Sequence, residues 1–469
     1  MSSTSAPSIS APSYKTLAGP KRHWLKGNLG QFDSKCVHDF FYGVAREFNG
    51  FARIRFMHKN MVIVQDADTV KHIMKNRPER FRRAKVMETM FSEMGIHGVF
   101  SAEAKEWRSQ RLLMNPAFKP SKIKAFYPKI EEITQRLIGS LNKQTQNIDI
   151  QDILMAYTVD VTSSLAFGID VNTLASDEHY LQDQLNVIFP MLSYRLRAPL
   201  PYWRWFKLER DKKLDAALSE VRHAVNGFIE QARMKLESEQ RQDFEQAENL
   251  LEAMILAENE DGEHFTDEQL FANVVTLLLA GEDTTANTLA WAIDFLVERP
   301  ELQEQLYQEV QTHTNGNGPI SLEQLESFPL ISAVLHETMR LKPVAPHLYI
   351  EPIKDEQIKG HHCPAGTTLV CLLSGEAYNE QLFPDCEAFK PERWLNMENS
   401  RATASQLMPF GFGARLCPGR QLSLVEMRLA LIELIRHYRF ERNADSHAAQ
   451  DSIKFTLQPE GLRVDLYPR

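Results

Sequence analysis

Residues 266–298 most narrowly limit the folds open to this chain. Thr266-Asp267-Glu268-Gln269 has the form of a capping box, in which a Thr hydroxyl and a Gln side chain each satisfy the other residue's backbone N–H. Phe265 and Leu270 flank it at the spacing of a hydrophobic staple. Two acids in the first turn suit the positive end of the helix dipole. The helical pattern runs to about Glu298, where Pro300 ends it. About 33 residues at 1.5 Å each make a helix of roughly 50 Å, long enough to cross a whole domain. Near its middle, Gly281 and the pair Thr284-Thr285 interrupt a good helix former, the Gly at a cost of up to about 1 kcal/mol. A local rule broken inside a core helix marks a functional position.

Around this rod the chain reads as mainly α with a small β region. Ser101 to Leu341 is almost wholly helical, with polar breaks near Asn142–Asn147 and Thr312–Pro319. Strand signals occur at Phe51–Met57 and Met61–Val64, at Thr368–Leu373, and at Lys454–Leu466 with a turn at Pro459-Glu460-Gly461. They suggest one small sheet assembled from distant segments. Residues 1–18 open on Ser, Ala and Pro without the charged start and apolar run of a signal peptide, and read as a flexible N-terminal tail. A length of 469 residues suggests about three domains, yet no repeat or linker offers a boundary.

Composition removes several function classes. A net charge of −9 and a pI near 6.0 argue against a nucleic-acid binder. No stretch reaches the roughly 18 apolar residues of a membrane span. Five cysteines, an odd number without a CxxC pair, fit a reduced, soluble, cytoplasmic protein.

Cys417 lies in Phe410-Gly411-Phe412-Gly413-Ala414-Arg415-Leu416-Cys417-Pro418-Gly419. Two glycines allow a tight loop, and an amphipathic helix follows, with Leu422, Val425, Leu429, Ile432 and Ile435 inward. The thiol therefore sits at a helix N-terminus, where orphan amides favour a thiolate. A nucleophile would want a His in the motif, and zinc would want further thiol or imidazole ligands. A single axial thiolate to haem iron needs no second local ligand.

This loop resembles the cysteine-ligand segment of the cytochrome P450 haem-thiolate monooxygenases, Phe-x-x-Gly-x-Arg-x-Cys-x-Gly, at every fixed position. The resemblance implies the cytochrome P450 fold, a single large domain over residues 19–469 around one buried heme b (iron protoporphyrin IX). It makes Cys417 the axial ligand, sets Arg415 against a haem propionate and packs Phe410 on the thiolate. Ala280-Gly281-Glu282-Asp283-Thr284-Thr285 resembles the family's oxygen-activation segment. Ala280 and Gly281 would face the haem, the Gly admitting a planar ligand. Asp283 would be the proton source and Thr284 the hydroxyl steadying bound dioxygen; a Thr bonded back to its own turn is the alternative. Trp107 and Arg111, at i and i+4, resemble the pair that donates to the propionates. Glu337, Arg340 and Arg393 match a buried structural ion triad. Ile350 stands where many relatives carry a propionate-binding Arg, with His347 nearby as a substitute or in an unrelated role.

The function implied is a soluble monooxygenase that hydroxylates or epoxidises a hydrophobic small molecule, a fatty acid or else a terpenoid or aromatic metabolite. It would use O2 and electrons from an external donor: a ferredoxin or flavodoxin with its reductase, or a flavoprotein reductase. A peroxide-dependent or isomerising haem-thiolate enzyme and a non-catalytic haem sensor remain open. Basic residues over Ser101–Phe126 and after Cys417 read as a docking face for an acidic donor or as a solvated face. Gly360-His361-His362-Cys363 reads as a turn, Met87, Met90 and Met94 as core or pocket wall, and Trp203-Arg204-Trp205 as packing.

Overall fold

The computed structural model describes residues 11–175, 180–198, 200–259, 262–314, 316, 318–395 and 404–469. The chain forms two compact units, each assembled from separated segments: residues 1–85, 347–376 and 406–416 in one, 86–346, 377–405 and 417–469 in the other. This interleaving is why the sequence offers no place to cut.

The first unit holds α1 (Val37–Glu47), α2 (Ala67–Lys75) and a five-stranded sheet of order β1-β2-β8-β5-β3. Its strands are β1 (Phe51–Phe56), β2 (Lys59–Val64), β3 (Phe81–Arg83), β5 (His347–Pro352) and β8 (Thr368–Leu372). β1 alternates, with Ala52 and Ile54 buried, and pairs antiparallel with β2, which is buried from Met61 to Val64: Ile54 lies opposite Met61 and Ala52 opposite Ile63. The His-His-Cys segment forms β7 (His361–Cys363), paired with β6 (Glu356–Ile358). His362 contacts Asp355 at 3.1 Å, and Cys363 is buried. The flexible tail expected over residues 1–18 gives way to packed chain by Pro12; residues 1–10 lie outside the described residues. Tyr14 is buried, the His362 N–H donates to Pro12 O (2.8 Å), and the Arg53 N–H donates to Ala18 O (2.9 Å).

The second unit carries α3 (Lys85–Glu93, entering it at Val86), α4 (Ala104–Met114), α5 (Pro120–Leu141), α6 (Ile150–Phe167), α7 (Tyr180–Arg197), α8 (Glu209–Ser238) and α9 (Leu250–Leu256). It continues with α10 (Asp267–Val297), α11 (Pro300–His313), α12 (Pro329–Leu341) and α13 (Arg420–His437). The capping box of α10 is reciprocal: the Gln269 N–H donates to Thr266 Oγ1 (3.2 Å) and the Thr266 N–H to Gln269 Oε1 (3.0 Å). Pro300 opens the next helix, where its missing N–H costs nothing. Along α10 nearly every face is buried, as suits a helix enclosed by others.

The C-terminal strands correct the single-sheet expectation. β11 (Leu457–Glu460) pairs with β10 (Gln450–Ile453), whereas β12 (Arg463–Pro468) pairs with β9 (Tyr438–Arg442) and β4 (Ile148–Asp149). The chain turns at Gly461, later than expected because Pro459 and Glu460 are still paired in β11, and the strands on either side of the turn belong to different sheets. Strand partners are chosen by long-range burial, which a local turn signal does not encode.

Candidate active site

α10 brings the expected oxygen-activation segment into the second unit and divides it by face. Positions 277, 280 and 284 recur at helical spacing. Ala280 is exposed, and Leu277 and Thr284 are only partly covered, although apart from Gly281 the other residues from Leu270 to Ile293 are buried. An exposed alanine in mid-helix faces a space that no side chain fills. The Thr284 hydroxyl donates to the Ala280 carbonyl (2.8 Å), the back-bonded arrangement weighed above, and this leaves its oxygen lone pairs available as acceptors.

Gly281 has a different task from the one expected. A Cβ there would lie 2.5 Å from Thr162 Oγ1 and 2.9 Å from Thr162 Cγ2 on α6. The glycine is thus spent on the close approach of α6, and Ala280 carries the open face.

Asp283 is buried and doubly held. Asn287 Nδ2 donates to Oδ1 (2.8 Å), and the Thr456 hydroxyl donates to Oδ2. Burial pushes its carboxyl above the usual range, against these hydrogen bonds and the charge of Lys454. Its neighbour Glu282 is 1% exposed with both carboxylate oxygens unpartnered, and burial beside Asp283 raises it well above the ordinary value. No motif flags Thr456; only the folded hairpin brings it to Asp283.

Cys417 also belongs to the second unit, three residues before α13. It is exposed by area while its thiol is desolvated, so it faces a space enclosed by protein. Burial raises its pKa; the Gly419 and Arg420 amides and the charges of Arg111 and Arg420 work the other way but do not prevail. The sequence suggested that the helix terminus favours a thiolate, but here burial outweighs it. A metal cation would supply the missing charge. Arg111 sits on α4, its own pKa lowered by burial and raised by Cys417; Trp107, one turn earlier, is buried in the apolar core. One axial thiol, desolvated but ringed by amides and a guanidinium, together with the uncovered stripe on α10, fits a haem.

Phe410 and Arg415 precede Cys417 in the chain but belong to the first unit, and both are half-buried. Gly413 is obligatory there: its φ is +71°, and a Cβ would lie 2.9 Å from Met74 O.

The expected ion triad is assembled. Arg340 binds Glu337 bidentately (Nη2–Oε1 2.7 Å, Nε–Oε2 2.9 Å), and Arg393 Nε reaches Glu337 Oε1 at 3.0 Å. Trp394 Nε1 and the Lys390 N–H also donate to Glu337, at 2.7 and 2.9 Å. Arg340 Nη1 donates to the carbonyls of Ala377 and Cys386.

Other signals resolve locally. Ile350 is fully buried in β5. His347 contacts Tyr349 Oη (3.1 Å) and meets Phe41 edge-on; burial drops its pKa to about 3, so it is a neutral imidazole and no replacement for a cationic Arg. Trp203 is buried and donates to Glu93, whereas Trp205 is exposed, so packing accounts for only one of that pair. Met90 and Met94 are core. Much of the basic face is neutralised internally: Lys124 pairs with Glu323, Lys119 with Glu245, Arg428 with Glu326, and Arg442 with Asp294 and Glu298.

A family model described as "Cytochrome P450" matches residues 17–466. The chain belongs to the cytochrome P450 family. It is 28% identical over 436 residues to cyclooctat-9-en-7-ol 5-monooxygenase of Streptomyces melanosporofaciens, covering 91% of this chain and 92% of that one. It is 26% identical to cytochrome P450 3A29 of Sus scrofa, covering 76% and 72%. The cytochrome P450DA heme domain shares the fold, with a TM-score of 0.86 at 23% identity over 98% of both chains. As a P450 the protein is a haem-thiolate monooxygenase with haem b as cofactor. Among the described residues no helix is long and apolar enough to cross a membrane.

Proposed function

We propose that this P450 inserts one oxygen atom into a hydrophobic small molecule, by hydroxylation or epoxidation, with Cys417 as the axial ligand. The observation that carries the substrate class is the apolar wall of the second unit. Phe91, Phe100, Phe455 and Phe189 form a chain of rings with centroids 5.3, 6.1 and 5.4 Å apart, and Met87 and Leu277 pack on the same cluster. Such a wall binds by exclusion of water and shape. It suits a hydrophobic skeleton, that of a fatty acid or of a terpenoid or aromatic metabolite.

Haem, when bound through Cys417, supplies the redox centre at which dioxygen is reduced. Trp107 and Arg111 would donate to its propionates, and Ala280 would lie along its face. Asp283 would hold and release the proton at its carboxyl, and Thr284 Oγ1 would accept and pass it. Glu337, Arg340 and Arg393 would hold the fold behind the ligand loop. Electrons would come from a separate donor. An iron–sulfur centre takes four thiolates, and Cys363 and Cys371 are buried thiols pushed up to about 11 and about 12.

The test is a titration of the haem-loaded protein with fatty acids, terpenoids and aromatic hydrocarbons, read as the spin-state shift. Hits are then turned over with O2, reductase and ferredoxin or with peroxide alone. A hydrophobic hit whose oxidation needs O2 and donor supports the reading. Turnover with peroxide but none with O2 and donor, or a normal reduced carbon monoxide spectrum in Cys417→Ser, overturns it.

A further inference from the structure

We propose that Thr456 is a positioning residue for the Asp283 carboxyl, and that Phe455, its neighbour in the chain, ties that hold to the filling of the apolar pocket. This rests on the reading of Asp283 as the proton carrier. Residues 454–456 form the tip of the β10–β11 hairpin, whose last pair is Ile453 with Leu457. Leu457 is pinned further: its N–H donates to Val344 O (2.9 Å), and its carbonyl accepts from Trp291 Nε1 (3.3 Å). Between these fixed points, Phe455 and Thr456 project into different surroundings. The Phe455 ring is only partly buried and meets Phe189 at 5.4 Å and Phe100 at 6.1 Å. The Thr456 hydroxyl donates to Asp283 Oδ2 and accepts from Asn287 Nδ2 (3.1 Å). Asn287 also donates to Asp283 Oδ1, and Gln151 Nε2 donates to Asn287 Oδ1 (2.7 Å).

With both oxygens engaged, the Asp283 carboxyl is locked; it delivers a proton toward Thr284 only after one oxygen is released. Phe455 and Thr456 share one peptide unit in a three-residue tip, so a ligand that pushes the Phe455 backbone moves Thr456 with it. With the tip in place Asp283 stays pinned, and a ligand that displaces the tip frees Oδ2. The charged groups facing Asp283 are Lys454 on the same tip and Glu282 beside it on α10.

The experiment follows the Asp283 carboxyl by isotope-edited infrared titration of the haem-loaded protein, its band assigned by Asp283→Asn. 4-Phenylimidazole serves as pocket probe, its binding read independently from the visible spectrum. In the wild type, the probe should raise the Asp283 titration point by about one unit, the scale of one lost hydrogen bond to a buried carboxylate. Thr456→Val should show that raised value with or without probe, Thr456→Ser should behave as wild type, and Phe455→Ala should bind the probe without the shift. If Val and Ser variants titrate alike, or the probe binds without moving the wild-type band, the proposal fails. If Cys417→Ser keeps the thiolate spectrum, the wider functional reading fails instead, whatever Asp283 does.

Discussion

Glu282 buries a carboxyl whose two oxygens have no partner, in a helix that elsewhere satisfies its polar groups. Desolvation raises its pKa, with the neighbouring Asp283 adding to the effect. In the unfolded chain the group titrates near 4.5. Between that pH and the higher folded value, the unfolded chain sheds a proton that the fold retains. Stability is therefore full below the unfolded pKa, falls as pH rises through this window, and levels off above the folded pKa. Glu282→Gln removes the titration and keeps the shape. The variant should match wild type near pH 4.5 and exceed it at pH 8, by about 1.4 kcal/mol for each unit by which folding raises the pKa. Melting temperatures of the haem-loaded protein across pH 4.5–8 read this directly, and parallel curves would refute it. Asp283, raised in the same direction, leaves a residual slope in the variant. The residue scale is also where sequence reading reached least far. Cys417 was legible because its loop is a contiguous pattern. Thr456 was not, because it lies 173 residues from Asp283 and meets it only through the hairpin tip.

At the scale of elements, α12 and the Lys390–Trp394 segment are joined by one carboxylate. Glu337 accepts from Arg340, Arg393, Trp394 and the Lys390 N–H, and both Glu337 and Arg340 are fully buried. Glu337→Ala leaves Arg340 as a buried charge without its counter-ion, a loss of about 3–5 kcal/mol. Arg393→Ala should cost clearly less, since Arg340 still neutralises Glu337 and the Arg393 side chain is 14% exposed. Urea midpoints of the two variants should fall in that order; equal losses would mean that the pairs do not share one carboxylate as drawn. The triad was readable because Glu337 and Arg340 sit at i and i+3 of one helix, though such pairs are usually surface decoration. The ends of α10 were readable for a similar reason: capping boxes and prolines act within a turn. The C-terminal strands were not, because β11 and β12 find partners in three other strands, none of them each other.

At the scale of the molecule, the two interleaved units explain why length was a poor guide to domain number. The five-stranded sheet takes β1, β2 and β3 from the first 85 residues and β5 and β8 from residues 347–372. β8 lies parallel to β2, with Val62 beside Leu369 and Val64 beside Cys371, all fully buried. A fragment of residues 86–469 contains every segment of the second unit but strips β8 of β2 and β5 of β3. Leu369, Val370, Cys371 and Leu372 would then form a bare apolar edge, a template for intermolecular pairing. The fragment should express mainly in the insoluble fraction. Co-expression of residues 1–85 should restore a soluble complex, because it returns both missing pairings without restoring the peptide bond at 85–86. Size-exclusion chromatography and far-ultraviolet circular dichroism distinguish the cases. A soluble, monomeric 86–469 fragment with full secondary structure would show that the edge is covered by something other than β2. A pair of fragments that stays insoluble would show that the covalent link, and not the sheet pairing, is what the truncation removes.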